Sequence, residues 1–267
     1  MIEVAAANNN VARLRRLQRR RDAREDEGCI VVEAVQGIAE ALRAQRVRSI
    51  FVRGGNHPTD ESVQALLGPI DAAIPTFVLD PKTFDGSAST VAPQAAMAIV
   101  SWQPAAIDDI EFDRGPAIVL DGVADPGNVG TIVRIADAAG ACAVFAGPGT
   151  VDVTASKVVR AAAGSLLRVP VVTSMTTATA IAELRARSVC CVGTIAQGAT
   201  AHDAYDWPPR VALVMGNEAH GIDAEVAALL DENVTIDMAD GAESLNVAIA
   251  CAVLAFEIRR RRPRAGA

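Results

Sequence analysis

The sequence predicts an α/β protein with two parts, a smaller N-terminal α/β domain and a larger C-terminal domain built on a mostly parallel sheet. Short apolar runs alternate with helix-length segments along most of the 267 residues. Residues 117–120 are apolar without alternation, as expected for a strand that is buried on both faces of a parallel sheet. The chain is 51% hydrophobic but only 3% aromatic, so its core must be mainly alanine, valine, leucine and isoleucine.

The composition also limits the kind of protein. A formal net charge of −7 argues against a protein that coats nucleic acid through bulk charge, yet arginine clusters in residues 13–24 and 259–264. The five cysteines show no C-x-x-C spacing, which predicts small core residues in a reducing compartment and no metal site. No signal peptide and no membrane-length apolar run is visible, so we expect a soluble, cytoplasmic protein.

The N-terminal region begins with a predicted amphipathic helix over residues 8–24, where Val11, Leu14 and Leu17 recur at helical spacing between arginines. Its basic face is either simply solvated or in contact with RNA phosphates. The following predicted elements are strand 29–33, helix 35–44, strand 47–52, helix 60–67, strand 76–79, a turn or short helix 80–84 and strand 95–101. Residues 1–104 are therefore predicted to form one domain, and the polar residues 105–115 a linker.

The C-terminal domain, residues 116–267, is predicted to alternate strands and helices. In order, the predicted elements are strand 117–120, a helix from 129 or 130 to 138, strand 142–146, helix 156–162, strand 166–172, helix 177–186, strand 189–194, strand 211–215, helix 224–230, strand 234–236 and a final helix in the stretch 243–264. Ligands of such sheets bind at the carboxyl ends of the strands, so the loops at those ends are the candidate sites.

Three of these loops are polar. The first, D-G-V-A-D-P-G-N-V-G, opens a helix for which Asn128 is a plausible N-cap, and Arg134 follows either as a surface arginine or as a functional one. The second, M-G-N-E-A-H-G-I-D, carries Glu218 at its lip, and we interpret His220 as a solvent-exposed loop histidine. In the third, E-S-L-N, Ser244 is either the N-cap of a core helix or part of a ligand site at the helix start.

Taken together, N-V-G-T-I-V-R-I-A-D-A-A-G-A, V-A-L-V-M-G-N-E-A-H-G-I-D and E-S-L-N-V-A-I-A-C-A-V-L-A-F-E resemble motifs 1, 2 and 3 of the SpoU family of RNA 2′-O-ribose methyltransferases, in the SPOUT superfamily. The resemblance covers residues 117–258. Residues 8–101 resemble, more loosely, the family's N-terminal substrate-binding domain of L30e-like fold. Ala219 in motif 2 and Ala34 after Glu33 depart from the family pattern without affecting the motif residues.

The resemblance implies a C-terminal SPOUT α/β domain with a deep trefoil knot, a bound S-adenosylmethionine and a homodimer formed through the knot region. By position it implies a catalytic set of Asn128, Arg134, Glu218, Ser244 and Asn246. It implies cofactor contacts, largely through backbone groups, at Thr194, Met215, Gly216, Ile236, Leu245 and Asn246.

The predicted chemistry is methyl transfer from a sulfonium to a ribose 2′-hydroxyl, whose proton must leave as attack proceeds. Because the pKa of a guanidinium is too high for general-base action, we expect Arg134 to orient the ribose or phosphate and to stabilise oxyanion charge. Glu218 is expected to fix either Arg134 or Asn128. The RNA contacts expected in the basic helix are Arg13, Arg16 and Arg20.

The expected substrate is 23S rRNA, for housekeeping or for resistance to a ribosome-directed antibiotic, with a tRNA 2′-O-methyltransferase of the same family as the alternative. Two other classes compete with these. A nucleotide-dependent oxidoreductase is disfavoured because G-x-G-x-x-G is missing. A non-catalytic RNA-binding protein is disfavoured because all five catalytic-set residues are present.

Overall fold

The computed structural model describes residues 1–55, 73–195, 197–239 and 244–262. The predicted helix 60–67, Glu243 at the start of motif 3, and Arg264 at the end of the second arginine run lie outside the described residues. Within the described ranges, no helix combines the length and the apolar character that crossing a bilayer requires.

The chain divides into two compact units. The first consists of Met1–Gln103 together with Asp152–Leu167, and the second of Pro104–Val151 together with Arg168–Ala267. Residues 152–167 were predicted to lie in the C-terminal domain, whereas their contacts place them in the first unit. The chain therefore passes from one unit to the other three times, and the single predicted linker is only the first passage.

The first unit contains a sheet of five described strands in the order β1-β4-β3-β5-β2, in which β5 runs antiparallel to its neighbours. Its strands are β1 (Ile2–Glu3), β2 (Cys29–Val32), β3 (Val47–Arg53), β4 (Thr76–Leu79) and β5 (Ala96–Ser101). Its helices are α1 (Asn9–Arg19), α2 (Arg21–Glu27), α3 (Val35–Arg43), α4 (Pro81–Asp85) and, from the later segment, α6 (Ser156–Ala161). Strand β1 was not predicted, because two exposed residues carry no periodic signal.

The predicted basic helix 8–24 is two helices. Arg20 has an extended backbone, with φ −118° and ψ 119°, and this residue ends α1 and precedes α2. The predicted apolar stripe is confirmed, because Val11, Leu14 and Leu17 are fully buried in the core of the first unit. Burying a leucine side chain contributes about 1.5–3 kcal/mol, so this stripe fixes which face of α1 points outward.

The second unit contains a sheet of seven described strands in the order β10-β12-β9-β11-β6-β7-β8, and every pair is parallel. Its strands are β6 (Ala117–Asp121), β7 (Ala143–Ala146), β8 (Val171–Val172), β9 (Cys190–Thr194), β10 (Thr200–Ala201), β11 (Val211–Gly216) and β12 (Glu232–Thr235). Its helices are α5 (Pro126–Ala139), α7 (Thr177–Ala186), α8 (Ala224–Ala227) and α9 (Val247–Arg261). Because all these strands are parallel, their carboxyl ends lie at one edge of the sheet.

Helices α5 and α9 pack against each other, and α9 also packs on β11. On α9 the side chains of Cys251, Leu254 and Ile258 are almost completely buried, whereas Ile249 and Phe256 are exposed. The final helix is therefore a core element on one face only, and its exposed apolar face is available to a partner.

The predicted strand 166–172 is wrong over most of its length. Residues Ser165–Leu167 form a 3₁₀ helix, and only Val171–Val172 pair with β7. Pro170 lacks an N–H group and Arg168 is turned toward Asp137 on α5, so the apolar run cannot continue as one strand.

Candidate active site

The candidate active site lies in the second unit, where loops follow the carboxyl ends of β6, β9, β11 and β12. After β11 the chain turns back on itself, and the backbones of Asn217 and Gly221 pair with N–O distances of 2.8 and 2.9 Å. The Asn217 side chain holds this turn, because its Oδ1 accepts from the backbone N–H groups of Ala219 and His220 while its Nδ2 donates to the Gly122 carbonyl. Glu218 and His220 are exposed on the turn, as predicted for His220.

Hydrogen bonds between three side chains join the three motifs. The Asn246 amide Nδ2 donates to Asn128 Oδ1 at 2.9 Å, and the Asn128 amide Nδ2 donates to Glu218 Oε1 at 2.9 Å. We call Asn246, Asn128 and Glu218 the polar relay. The two bonded pairs are separated by 90 and 118 residues in the sequence, so only the fold brings them together.

Glu218 also accepts hydrogen bonds from the backbone. Its Oε2 accepts from the N–H of Ala124 and its Oε1 from the N–H of Asp125, both at 3.3 Å. Burial alone would raise the pKa of Glu218, but the hydrogen bonds from Asn128 and from these N–H groups outweigh it, so the pKa lies below its ordinary value. Glu218 is thus a carboxylate at neutral pH and acts as an acceptor that fixes the start of α5.

The helix starts at the site differ from those predicted. The N-cap of α5 is Asp125, whose side chain accepts from the Asn128 N–H at 2.9 Å, and Asn128 is inside the first turn. The N-cap of α9 is Asn246, whose Oδ1 accepts from the N–H groups of Ala248 and Ile249. The prediction that Ser244 caps this helix is therefore wrong. Capping by Asp125 leaves the Asn128 side chain free to join the polar relay.

A cavity of about 400 Å³ opens beside the polar relay. The six residues predicted to contact the cofactor, Thr194, Met215, Gly216, Ile236, Leu245 and Asn246, all line it, together with Glu218 and Ser244 from the predicted catalytic set. Ile195, Asn217, Val234, Met238 and Leu254 line it as well, although the sequence analysis did not select them. The wall is mainly apolar and its polar groups come from the motif loops.

Arg134 is the member of the predicted catalytic set that stands apart. It is exposed on α5, does not line the cavity, and forms no hydrogen bond or ion pair with any residue that the structure describes. Of the two partners predicted for Glu218, the structure gives Asn128 and not Arg134. The N–H donors of the Arg134 guanidinium are therefore unused among the described residues.

The three arginines predicted to contact RNA lie in the first unit and have acidic neighbours. Arg13 and Arg16 pair with Glu27, and Arg20 pairs with Asp22. The side chains of Arg16 and Arg20 are more than half exposed, at 53% and 63%. The Arg20–Asp22 pair is exposed on both sides, and such a pair contributes only about 0–1 kcal/mol, so a phosphate can compete with Asp22.

Two positions that the sequence analysis missed support the motif loops. Asn217 holds the turn described above, and the buried Asp121 accepts from the Asp223 N–H at 2.9 Å through Oδ2. The signal for Asn217 was present, since asparagine often bonds backbone groups two residues on. Asp121 could not be found from the sequence, because its partner is about 100 residues away.

We expect Gly216→Ala to damage the cavity. A Cβ at this position would lie 2.2 Å from the Gly221 carbonyl carbon and 2.3 Å from the Ile222 nitrogen, and both are backbone atoms that cannot move without opening the turn. Overpacking of this kind costs about 1–3 kcal/mol. Thermal unfolding should show the lower stability and calorimetry a weaker ligand affinity. Gly86→Ala is the control, because its backbone is helical, with φ −72°, and the nearest atom to its Cβ would be the Lys82 carbonyl oxygen at 3.2 Å. If Gly216→Ala binds S-adenosylmethionine as tightly as the parent does, the cavity is not the cofactor site.

Comparison with known proteins gives the family. Residues 115–256 match the family model described as the SpoU rRNA methylase family. The chain is 31% identical over 257 residues to the 23S rRNA (guanosine(2553)-2′-O)-methyltransferase RlmP of Bacillus subtilis, covering 96% of this chain and 98% of the relative. It is 34% identical over 212 residues to the 23S rRNA (guanosine-2′-O-)-methyltransferase RlmB of Ralstonia nicotianae, covering 76% of this chain and 84% of the relative.

A solved structure is similar along almost the whole chain. It is that of the SpoU methyltransferase AviRb from Streptomyces viridochromogenes in complex with the cofactor AdoMet, with a TM-score of 0.85 and 26% identity over 95% of this chain and 98% of that one. This similarity confirms the predicted SPOUT α/β fold class. On the family model and on these relatives, the chain belongs to the SpoU rRNA methylase family.

Proposed function

We propose that this protein is an S-adenosylmethionine-dependent RNA ribose 2′-O-methyltransferase that acts on 23S rRNA in the cytoplasm. Family membership and the names of the two relatives support the reaction and the RNA class. The observation that carries the proposal is the polar relay beside the cavity, because it joins all three family motifs through their side chains.

The cavity fits the cofactor. Its volume of about 400 Å³ is within the usual range of small-molecule sites, and an apolar wall with a polar lip suits an adenine ring joined to a charged tail. Met215, Ile236 and Leu245 would hold the ring, and the polar groups of Asn246 and Thr194 would orient the rest. When bound, S-adenosylmethionine supplies an electrophilic methyl group on a sulfonium sulfur.

Side chains of this protein would bind the ribose and stabilise the negative charge that develops on its 2′-oxygen. Arg134, with its free donors, would bind the ribose or the adjacent phosphate and stabilise the negative charge that develops on the 2′-oxygen. The polar relay would fix the first turn of α5, on which Arg134 depends for its position. Ser244, exposed at the cavity lip, would contact the substrate.

We propose that the first unit binds RNA, consistent with the predicted L30e-like domain. Arg16 and Arg20 are the predicted contacts with the largest exposed fractions, and a phosphate would replace their acidic partners. Binding through such contacts weakens as salt rises, because counterions are released from the RNA.

We also propose a homodimer through α9. Ile249 and Phe256 are 55% and 45% exposed, and seven residues place them on the same helix face. The double variant Ile249→Glu, Phe256→Glu is expected to be monomeric because a buried unpaired carboxylate is costly. Light scattering should give about twice 27.7 kDa for the parent and for the control Val91→Glu, an exposed apolar residue of the first unit. A monomeric parent would contradict the proposal.

Transfer of a labelled methyl group from S-adenosylmethionine to purified RNAs tests the function. We expect incorporation into 23S rRNA or its fragments, at a ribose 2′-oxygen. Incorporation only into tRNA would favour the alternative substrate. RNA binding without cofactor binding or incorporation into any RNA would favour the non-catalytic RNA-binding protein and overturn the proposal.

A further inference from the structure

Arg24 is unlike the other arginines of the basic run. It is only 7% exposed, and each of its nitrogens donates a hydrogen bond. Nε donates to Thr154 Oγ1 at 2.9 Å, Nη1 to the Leu17 carbonyl at 2.9 Å and Nη2 to Asp152 Oδ2 at 2.5 Å. Because the Arg24 guanidinium is buried and each of its three nitrogens is already bonded inside the first unit, it is not presented to RNA, and its role lies inside the molecule.

The partner of Arg24 is held equally firmly. Asp152 Oδ1 accepts from the Thr154 N–H at 2.9 Å and from the Thr154 hydroxyl at 2.6 Å. A buried charge pair is costly to break, because the remaining charge then has no counter-ion. Arg24 therefore fixes Asp152 and Thr154 in the first unit.

The residues immediately before Asp152 belong to the second unit and support the loop after β6. The Val151 N–H donates to the Val123 carbonyl at 3.1 Å, and the Thr150 hydroxyl donates to the Leu120 carbonyl at 3.1 Å. The chain passes from the second unit to the first at the Val151–Asp152 peptide bond. Fixing Asp152 thus fixes one end of the segment 147–151, which braces the loop.

That loop leads directly to the polar relay. Ala124 and Asp125 follow Val123, and their N–H groups donate to Glu218, which in turn accepts from Asn128. From Arg24 to Asn128, every step is a peptide bond, a hydrogen bond or an ion pair. The connection is therefore continuous, although Arg24 lies about 100 residues before the loop.

We propose that Arg24 is a positioning residue for methyl transfer, which acts through Asp152 on the loop 121–125 and so on the polar relay. The inference rests on the proposed function. Arg24 would touch neither the RNA nor the cofactor. It would keep the start of α5 in the arrangement that presents Arg134 to the substrate.

Single-turnover methylation at saturating RNA tests this role. We expect Arg24→Ala to lower the rate about tenfold, in the range found for residues that couple distant sites, with the dissociation constant for S-adenosylmethionine changed less than about twofold. Arg24→Lys keeps the charge opposite Asp152 but not the three-way donation, so its rate should be intermediate. The matched control is Arg43→Ala, an arginine of the first unit whose side chain is 71% exposed and pairs with Glu40 on the same helix.

Amide hydrogen exchange gives a second readout that does not need activity. In Arg24→Ala, or in Arg24→Lys if the alanine variant folds poorly, the N–H groups of Val151, Ala124 and Asp125 should exchange faster than in the parent and in Arg43→Ala. Parent-like rate and exchange would overturn the inference. If Arg24→Ala raises only the KM for RNA and leaves the amide exchange unchanged, Arg24 is an RNA contact and the inference is wrong. A parent without activity would defeat the proposed function, and the exchange data would still decide the connection.

Discussion

Arg134→Ala is expected to lower the methylation rate about 10²–10³-fold, the usual effect of removing one donor that stabilises developing oxyanion charge. The affinity for S-adenosylmethionine should stay within about twofold of the parent, because Arg134 does not line the cavity. Stability should also be unchanged, since Arg134 forms no hydrogen bond or ion pair with the residues that the structure describes. Single-turnover kinetics, calorimetry and thermal unfolding measure the three quantities.

Arg114→Ala is the matched control for this prediction. Arg114 is also exposed, but it precedes β6 and so lies at the edge of the sheet opposite the cavity. It should methylate at the parent rate. Near-normal turnover of Arg134→Ala, or an equal loss in Arg114→Ala, would show that Arg134 has no specific role in the reaction.

Asn246 caps helix α9 and also donates a hydrogen bond to Asn128, and Asn246→Asp is expected to keep the first interaction and remove the second. Asparagine and aspartate cap helices about equally well, so the free energy of unfolding should change by less than about 0.5 kcal/mol. The carboxylate cannot donate to Asn128 Oδ1, however, and it brings two acceptors together where a donor and an acceptor met. Losing this exposed hydrogen bond from the arrangement that binds the transition state should raise the activation free energy by about 0.5–1.5 kcal/mol, which corresponds to a rate lower by about 2- to 13-fold.

Asn8→Asp is the control for the cap substitution. Asn8 caps α1 by accepting from the Asn10 N–H, and its own Nδ2 has no partner among the described residues. The same chemical change there should leave the methylation rate unaltered. If Asn246→Asp keeps the parent rate, the polar relay is not part of the catalytic arrangement.

The sequence could predict the features that depend on short-range patterns. Parallel strands such as 117–120 and 211–215 are continuous apolar runs, and these runs became buried strands at the centre of the sheet. The cofactor residues could be named only because the resemblance to the SpoU motifs implies them by position. Thr194, Met215 and Ile236 line one cavity because they lie at the carboxyl ends of parallel strands of the same sheet.

The helix caps show where local reasoning was insufficient. The sequence D-P-G-N offers two caps, and proline at the first helical position favours Asp125, a signal that was not weighed when Asn128 was predicted as the cap. In S-L-N, both Ser244 and Asn246 can cap a helix. The choice of Asn246 places its amide against Asn128, about 118 residues earlier, and no local pattern contains that information.

The membership of residues 152–167 in the first unit could not be predicted either. It depends on contacts such as Arg24 with Asp152, 128 residues apart, and Gln18 with Ser156, 138 residues apart. From periodicity alone, 156–162 is simply another helix of the C-terminal domain. The function of Arg24 was hidden for the same reason, because in the sequence it is one more arginine in a basic run.

The most direct test of the central claim is a map of ribose 2′-O-methylation on total RNA from cells with and without this gene. The account predicts one methylated ribose in 23S rRNA that is absent without the gene, restored by the parent protein and not restored by Arg134→Ala. If no ribose methyl group on any RNA depends on the gene, the protein is not the methyltransferase proposed here.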